Sequence, residues 1–430
     1  MTKRLWARFF CLIGWVTLCF GSASSAWACA ICAPAGESTL VSRLAAARQV
    51  LLARPMAQPG EFTAVVAVKG ALPEPTTQSL QGVVDDRAVR RGPGQPRGPT
   101  PTAPDTLALL TYSALTQRWM HIGDLPRERL AWLRQLAAMP PASQLIGAGW
   151  PARLQFFGPD LENPVPLVAQ AAYEEVASAP YALMRQAFRA PGPGIKPSPL
   201  QAAAPRTTQL LGWLQDGELT PRHSLYYLLL GLAADPRSVD YLMQSLAPVA
   251  GTNSGDRPGV PANRADKALS PADMSAILAA LIEIRGAAVL PWVEKHFLTH
   301  AAPMVATMSP EAQRQSMVQA QAAVLALGVH GTLACTRAES GSILTAALTT
   351  EQVVQVYARY IRSHPAMAGL VSSDLANWAQ WQFAEPFAQA LQSQAFIPFA
   401  SRYAMVFYLL RNPRPEAKAW VEKLRRAQLM

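Results

Sequence analysis

The chain is predicted to be α+β and mostly α: a small N-terminal antiparallel β domain followed by an irregular α-solenoid of helix pairs. Three observations predict this. Branched and apolar runs bounded by Pro and Gly crowd into the first part of the chain with no helix between most of them. From Leu125 onward, apolar residues recur at helical spacing instead. The third is the stretch from Thr220 to Leu246, which reads as two helices joined by almost nothing. Leu225 to Leu232 is almost wholly apolar, too much for one face, so that helix should be covered on most sides. Val239, Leu242, Met243 and Leu246 form a single stripe on the next one. A buried helix beside an amphipathic helix needs similar neighbours on both flanks, which is the logic of a stacked repeat. The predicted layout is a leader over 1–28, a β-rich domain over 29–125 with a Pro- and Arg-rich loop at 73–105, and helical repeats over 126–430.

Of 430 residues, 50% are hydrophobic and 15% charged, enough apolar material for a large core and too little charge for wholesale disorder. The net charge of +10 admits an anionic partner, but the cations are scattered, so no nucleic-acid partner is expected.

Residues 1–28 read as a secretory signal. Lys3, Arg4 and Arg8 form a basic start, Phe9 to Phe20 an apolar run too short to span a bilayer unaided, and Ala26-Trp27-Ala28 a small-x-small cleavage site. The expected location is exported, periplasmic or cell-envelope. Cys29 follows the leader directly, as in bacterial lipoprotein leaders, although Ala26 and Trp27 stand where those carry Leu and a small residue. A lipid on Cys29 would add a peripheral membrane contact. No other apolar run looks long enough to cross a membrane, so the body is expected to be soluble.

Along the body, Leu40, Leu44 and Ala45 suggest a short helix. Gln49–Arg54, Phe62–Lys69, Thr106–Leu115 and Arg118–Ile122 read as strands of a small antiparallel sheet or barrel. Cys29, Cys32, the Val50–Arg54 strand and the Phe62–Gly70 strand resemble, in that order, the start of netrin-like and TIMP-like modules. Those modules' partner cysteines are absent between 33 and 334, so their disulfide frame does not carry over. Within 73–105, Arg87, Arg90, Arg91 and Arg97 could contact an anion, though a solvated loop explains them as well.

Helices are expected over 129–136, 165–179, 274–284, 289–298, 317–327, 353–361, 375–391, 403–410 and 417–424. Their starts repeat one device, a capping side chain before proline: Asn163-Pro164, Thr220-Pro221, Asp235-Pro236, Ser270-Pro271, Ser309-Pro310 and Asn412-Pro413. Thr349 with Gln352 makes a capping box. Ser270, Ser309 and Thr349 recur about every 40 residues, and Leu230–Leu246 resembles the turn and second helix of HEAT and armadillo repeats. The layout also resembles a group of secreted bacterial proteins with an N-terminal Cys-x-x-Cys, a small β module, a helical-repeat tail and a Tyr-x-x-x-Ala-x-Ala-x-Tyr segment, here Tyr173 to Tyr181. That resemblance implies architecture and no activity.

No residue set specifies a reaction, so no catalytic residue and no cofactor is assigned. Cys29 and Cys32 could form a disulfide, act as a redox pair or donate thiolates to a metal. Cys335 is expected as a buried thiol in a helix connection. His296 and His300, four apart on an expected helix, could share a metal, although cations at a helix C-terminus are the plainer reading. Glu174-Glu175 straddles two helix faces, which is wrong for opposed acid–base work. Trp378, Trp381, Phe383, Phe387, Phe396 and Phe399 are expected as core, with a peptide groove as the alternative. The leading expectation is a non-enzymatic protein-interaction module for a protein or peptide of the cell envelope. The alternative is a thiol redox or metal-binding protein acting through Cys29 and Cys32.

Overall fold

The Thr39 hydroxyl accepts from the Ser42 N–H at 3.3 Å and caps α1 (Leu40–Ala46). The computed structural model describes residues 31, 38–58, 60–72, 79–80, 83–85, 105–145, 149–191, 194, 196–202, 204–247, 269–299, 309–340, 347–393 and 397–429. After α1 come β1 (Gln49–Pro55), β2 (Phe62–Lys69), the two-residue strands β3 (Ser79–Leu80) and β4 (Val84–Asp85), then β5 (Thr106–Ser113) and β6 (Arg118–Pro126). They form one open sheet in the order β3-β2-β1-β5-β6-β4. The four long strands are antiparallel; only the short edge strand β4 runs parallel to β6.

Alternation along β1 and β5 sends apolar side chains to both faces, and both find cover. Val50, Leu52, Leu107 and Leu109 point to the face shared with Leu40, Leu44, Leu133 and Leu136 of the helices. Leu51, Ala53, Ala108 and Leu110 join Phe62, Ala64 and Leu80 on the other. Pairing Leu51 with Leu110 and Leu52 with Leu109 sets this register, since a one-residue slip would exchange the faces. Lys69 at the end of β2 donates to the Leu44 and Ala45 carbonyls at 3.1 and 2.7 Å, placing a cation on the C-terminus of α1.

The rest of the described chain is helical. In order, α2 is Leu130–Ala138, α3 Gly149–Phe157, α4 Pro166–Ala177, α5 Tyr181–Phe188, α6 Thr207–Gln215, α7 His223–Leu232 and α8 Ser238–Leu246. Then come α9 Pro271–Arg285, α10 Pro310–Ser340, α11 Thr350–Ser363, α12 Gly369–Asn377, α13 Ala384–Ser393, α14 Phe399–Arg411 and α15 Pro415–Arg426. The chain is thus mostly helical with a small sheet near its N-terminus, as its periodicities predict. Every residue of α7 is buried, and α9 is buried from Asp273 through Glu283. Helices close in sequence pack on one another: α7 on α9, α9 on α10, α12 on α14 and α13 on α15.

Three of the expected caps hold. Ser270 accepts from the Asp273 N–H at 3.0 Å, Ser309 from the Ala312 N–H at 3.2 Å, and Thr349 with Gln352 closes a capping box. Thr220 does not cap: its hydroxyl donates to the Gly217 carbonyl inside a 3-10 turn (Gly217–Arg222), and α7 begins at His223. The expected single helix over 375–391 is two. Ala379 adopts φ 55°, the Gln380 N–H turns back to the Leu375 carbonyl at 2.8 Å, and α12 ends there. The expected helix over 289–298 is a 3-10 turn, one α turn (Leu290–Val293) and a π turn (Glu294–Leu298).

Two stretches, Pro271–Leu298 and Glu311–Cys335, are long and apolar enough to cross a membrane by length and composition, which corrects the expectation that none is. Burial accounts for their composition, since 61% and 56% of these windows lie inside the protein. The expected leader at 1–28 and most of the expected loop at 73–105 lie outside the described residues.

The α7–α9 crossing depends on a glycine. A Cβ on Gly231 would lie 2.5 Å from Ala280 Cα and 2.6 Å from its Cβ, with backbone on the far side. Gly231→Val is therefore expected to cost about 3 kcal/mol or more by overpacking. Urea unfolding checks it; a loss under about 1 kcal/mol would mean the two helices have room to separate.

Candidate functional site

Among the described residues, three buried polar clusters and an exposed apolar ridge stand out as places where chemistry or binding could reside. The deepest cluster lies where α5, α9 and α10 meet. Glu283 of α9 accepts from Arg185 Nε at 2.8 Å and from the Tyr181 hydroxyl at 3.0 Å, both from α5. His330 of α10 donates through Nε2 to the Ala279 carbonyl at 3.0 Å, which leaves Nδ1 bare of hydrogen and 3.9 Å from Glu283 Oε2. Burial holds the imidazole below its ordinary pKa, against the pull of the Glu283 charge. A carboxylate beside a neutral imidazole resembles an acid–base pair, but the Arg185 and Glu283 side chains are each 1% exposed. No solute reaches them, so the cluster fastens three helices.

The second cluster joins α1, α3 and α4. Arg153 of α3 donates through Nε to Glu175 of α4 at 2.6 Å and through Nη1 to the Pro140 carbonyl at 2.7 Å. Glu174, the next residue, accepts from the Leu40 N–H at 2.8 Å at the start of α1. The two carboxylates do straddle the helix, and each anchors a different element. Desolvation raises the Glu175 pKa while Arg153 opposes the rise.

In the third, Tyr357 of α11 lies 2.8 Å from Asp374 of α12 and 3.1 Å from the Val324 carbonyl of α10. Asp374 also presses on Gly328, whose Cα leaves no room for a Cβ. Desolvation pushes the Asp374 carboxyl up to about 6, against the opposing hydrogen bond from the Tyr357 hydroxyl.

Cys29, Cys32, His300, Arg87, Arg90, Arg91, Arg97 and Phe396 lie outside the described residues. His296 sits in the π turn; its Nδ1 donates to the Trp292 carbonyl at 2.8 Å and its ring lies against the Trp292 ring. Among the described residues no three His, Cys, Asp or Glu stand where they could share a metal. Cys335 is half-buried within α10 itself, not in a connection. Trp378, Phe383 and Phe387 are core, as expected, but Phe399 is not: it is 84% exposed.

Phe399 opens the feature that sequence reading missed. On α14, Phe399, Tyr403, Phe407 and Leu410 are 84%, 62%, 48% and 52% exposed. Their spacing of four, four and three places them on one face. The rings stack in a ladder, with centroids 6.4 Å apart for Phe399–Tyr403 and 6.2 Å for Tyr403–Phe407. The Arg411 guanidinium lies 5.7 Å from the Phe407 ring centroid. The opposite face anchors the helix. Ser401 accepts from the Gly369 N–H at 3.0 Å, and the Tyr408 hydroxyl donates to the Gln380 carbonyl at 2.5 Å. Beside Leu410, α14 and α15 leave a shallow groove lined by Leu409, Val421, Lys418, Glu422 and Arg425. The signal in the sequence was the Phe-x3-Tyr-x3-Phe spacing, which an apolar helix in a core shares.

No family model, no curated protein and no solved structure matches this chain. Among the described residues, the polar clusters are closed to solvent and hold helices together, whereas the apolar ridge of α14 is accessible.

Two outcomes test the assignment of the clusters. Glu283→Ala strands the buried Arg185 charge and should cost about 3–5 kcal/mol in urea unfolding, whereas Glu283→Leu with Arg185→Met should recover most of it. A single and a double variant of equal stability would contradict that pairing. Asp374, with its folded pKa raised from 3.8 to about 6, favours folding only while protonated. Its penalty is absent below the lower value, grows as pH rises between the two, and is complete above the upper one. It should reach on the order of 2–3 kcal/mol, with Glu175 adding a smaller loss of the same sign. Asp374→Asn should remove that fall in the urea midpoint; an unchanged pH profile would show that the carboxyl is not so shifted.

Proposed function

We propose that the protein is a non-enzymatic binding module that docks a partner on the exposed ridge of α14. One observation carries the reading: three stacked aromatic rings and a leucine stand in water on a helix whose other face is firmly packed. Single exposed apolar side chains are ordinary, but a contiguous row is characteristic of a contact surface. Rings held against one another also lose little further freedom on binding, so their apolar area converts to affinity efficiently.

The surrounding architecture supports the same use. Helix packing between near neighbours, α7 on α9, α9 on α10, α12 on α14 and α13 on α15, suits an irregular α-solenoid of HEAT-like pairs. Such a stack offers an outer face without disturbing its core. The basic start, apolar run and small-x-small site of residues 1–28 place this module in the cell envelope, on the reading that they are an export signal. The partner is then an envelope component.

A photo-crosslinking residue at the exposed Ala400 position, one residue from Phe399, tests the reading in envelope preparations. A discrete adduct is expected, and Phe399→Ser with Phe407→Ser should reduce its yield by about tenfold, as removal of two central anchors does. An adduct indifferent to those substitutions, or none at all, would overturn the docking role of the ridge.

A further inference from the structure

We infer that the partner of the α14 ridge is an anionic lipid surface, an assignment that rests on the docking role proposed above. The charge around the ridge points to it. α14 carries no carboxylate along Phe399–Arg411, and its two cations, Arg402 and Arg411, fall on either side of the exposed arc at about 100° per residue. The neighbouring α15 ends in Lys423, Arg425 and Arg426 and carries Lys418, with Glu416 and Glu422 as its acids. Lys418 and Arg425 line the groove that opens beside exposed Leu410. Apolar side chains in the middle and cations at the margins match a membrane interface, where rings and leucine enter the acyl boundary and the cations meet phosphates.

The same arrangement argues against the other occupants. A second copy of the chain, laid ridge on ridge, would bring Arg402 and Arg411 against the same cations with no carboxylate on either helix to answer them. A protein partner needs a matching cleft for Phe399, which projects with 84% of its surface in water from the first residue of the helix. A bilayer needs no such match. Tyr403, between two phenyl rings, brings a hydroxyl to the depth where interfacial tyrosines find water and headgroups. Arg411 lies over the Phe407 ring and donates through Nη1 to Asn377 Oδ1 at 3.3 Å, which holds its charge at the edge of the ridge.

The test is cosedimentation of the purified protein with vesicles of pure phosphatidylcholine and of an equimolar mixture of phosphatidylcholine and phosphatidylglycerol. Binding is expected to the mixture and not to phosphatidylcholine alone, and to weaken as salt rises. Phe399→Ser with Phe407→Ser should lower the partition coefficient by about tenfold or more, and Arg402→Glu with Arg411→Glu by at least as much. These positions are exposed or at the margin of the ridge, and thermal unfolding of each variant confirms that it is folded. Equal binding to both vesicles, no binding by the folded protein, or binding indifferent to all four substitutions overturns the lipid assignment. If vesicles fail while a ridge-dependent crosslink to a protein persists, the lipid assignment falls and the docking role stands. If neither depends on the ridge, both fall.

Discussion

Glu283 is the residue around which the helical body closes. A carboxylate with 1% of its side chain exposed cannot be left without partners, because losing water costs several kcal/mol. Arg185 and Tyr181 answer it from α5, Arg189 stands 3.6 Å away, and the His330 ring faces it from α10. These contacts are directional, so they fix how α5 and α10 sit on α9. Apolar packing alone would tolerate several registers of such Ala- and Leu-rich helices. The same requirement repeats at smaller scale with Arg153 and Glu175, and with Tyr357 and Asp374.

The three clusters also divide the work between sheet and helices. One face of the sheet shares its buried cluster with the helices, so no solvent layer separates the strands from α1, α2 and α4. Glu174 and Glu175 are adjacent on α4 yet reach opposite ways, one to the α1 N-terminus and one to Arg153 of α3. α4 thereby ties α1 to α3, and its carboxylates are consumed by that task. What is left over for an outside partner is apolar: the ridge of α14, firmly held from behind by Ser401 and Tyr408.

Much of the architecture was legible because it rests on local physics. Phe62–Lys69 is a strand over the residues its branched, apolar run predicts, and Ser270, Ser309 and Thr349 cap helices because an oxygen at that position satisfies a free N–H without help from elsewhere. Thr220 carries the same signal and fails, since the 3-10 turn around it uses the hydroxyl another way. The break between α12 and α13 was hidden because Ala379 gives no sign of a left-handed backbone; the packing of Trp378 over Tyr357 accompanies it. Phe399 was assigned to the core because an aromatic residue on an apolar helix belongs there by default.

The sequence by itself determined the predominance of helix, the long strands and many of the helices, since period, caps and breakers act within a few residues, but it did not announce α3, α5 or α6. Only the tertiary structure decided which charges are buried together and which face of α14 meets water. Glu283 and Arg185 are 98 residues apart in the chain, and Tyr357 and Val324 33 apart, so no local pattern joins them. Phe399 and Phe387 look alike in the sequence, and one is 84% exposed while the other is fully buried. That difference is set by what packs on each helix face, a property of the assembled chain and not of any segment within it.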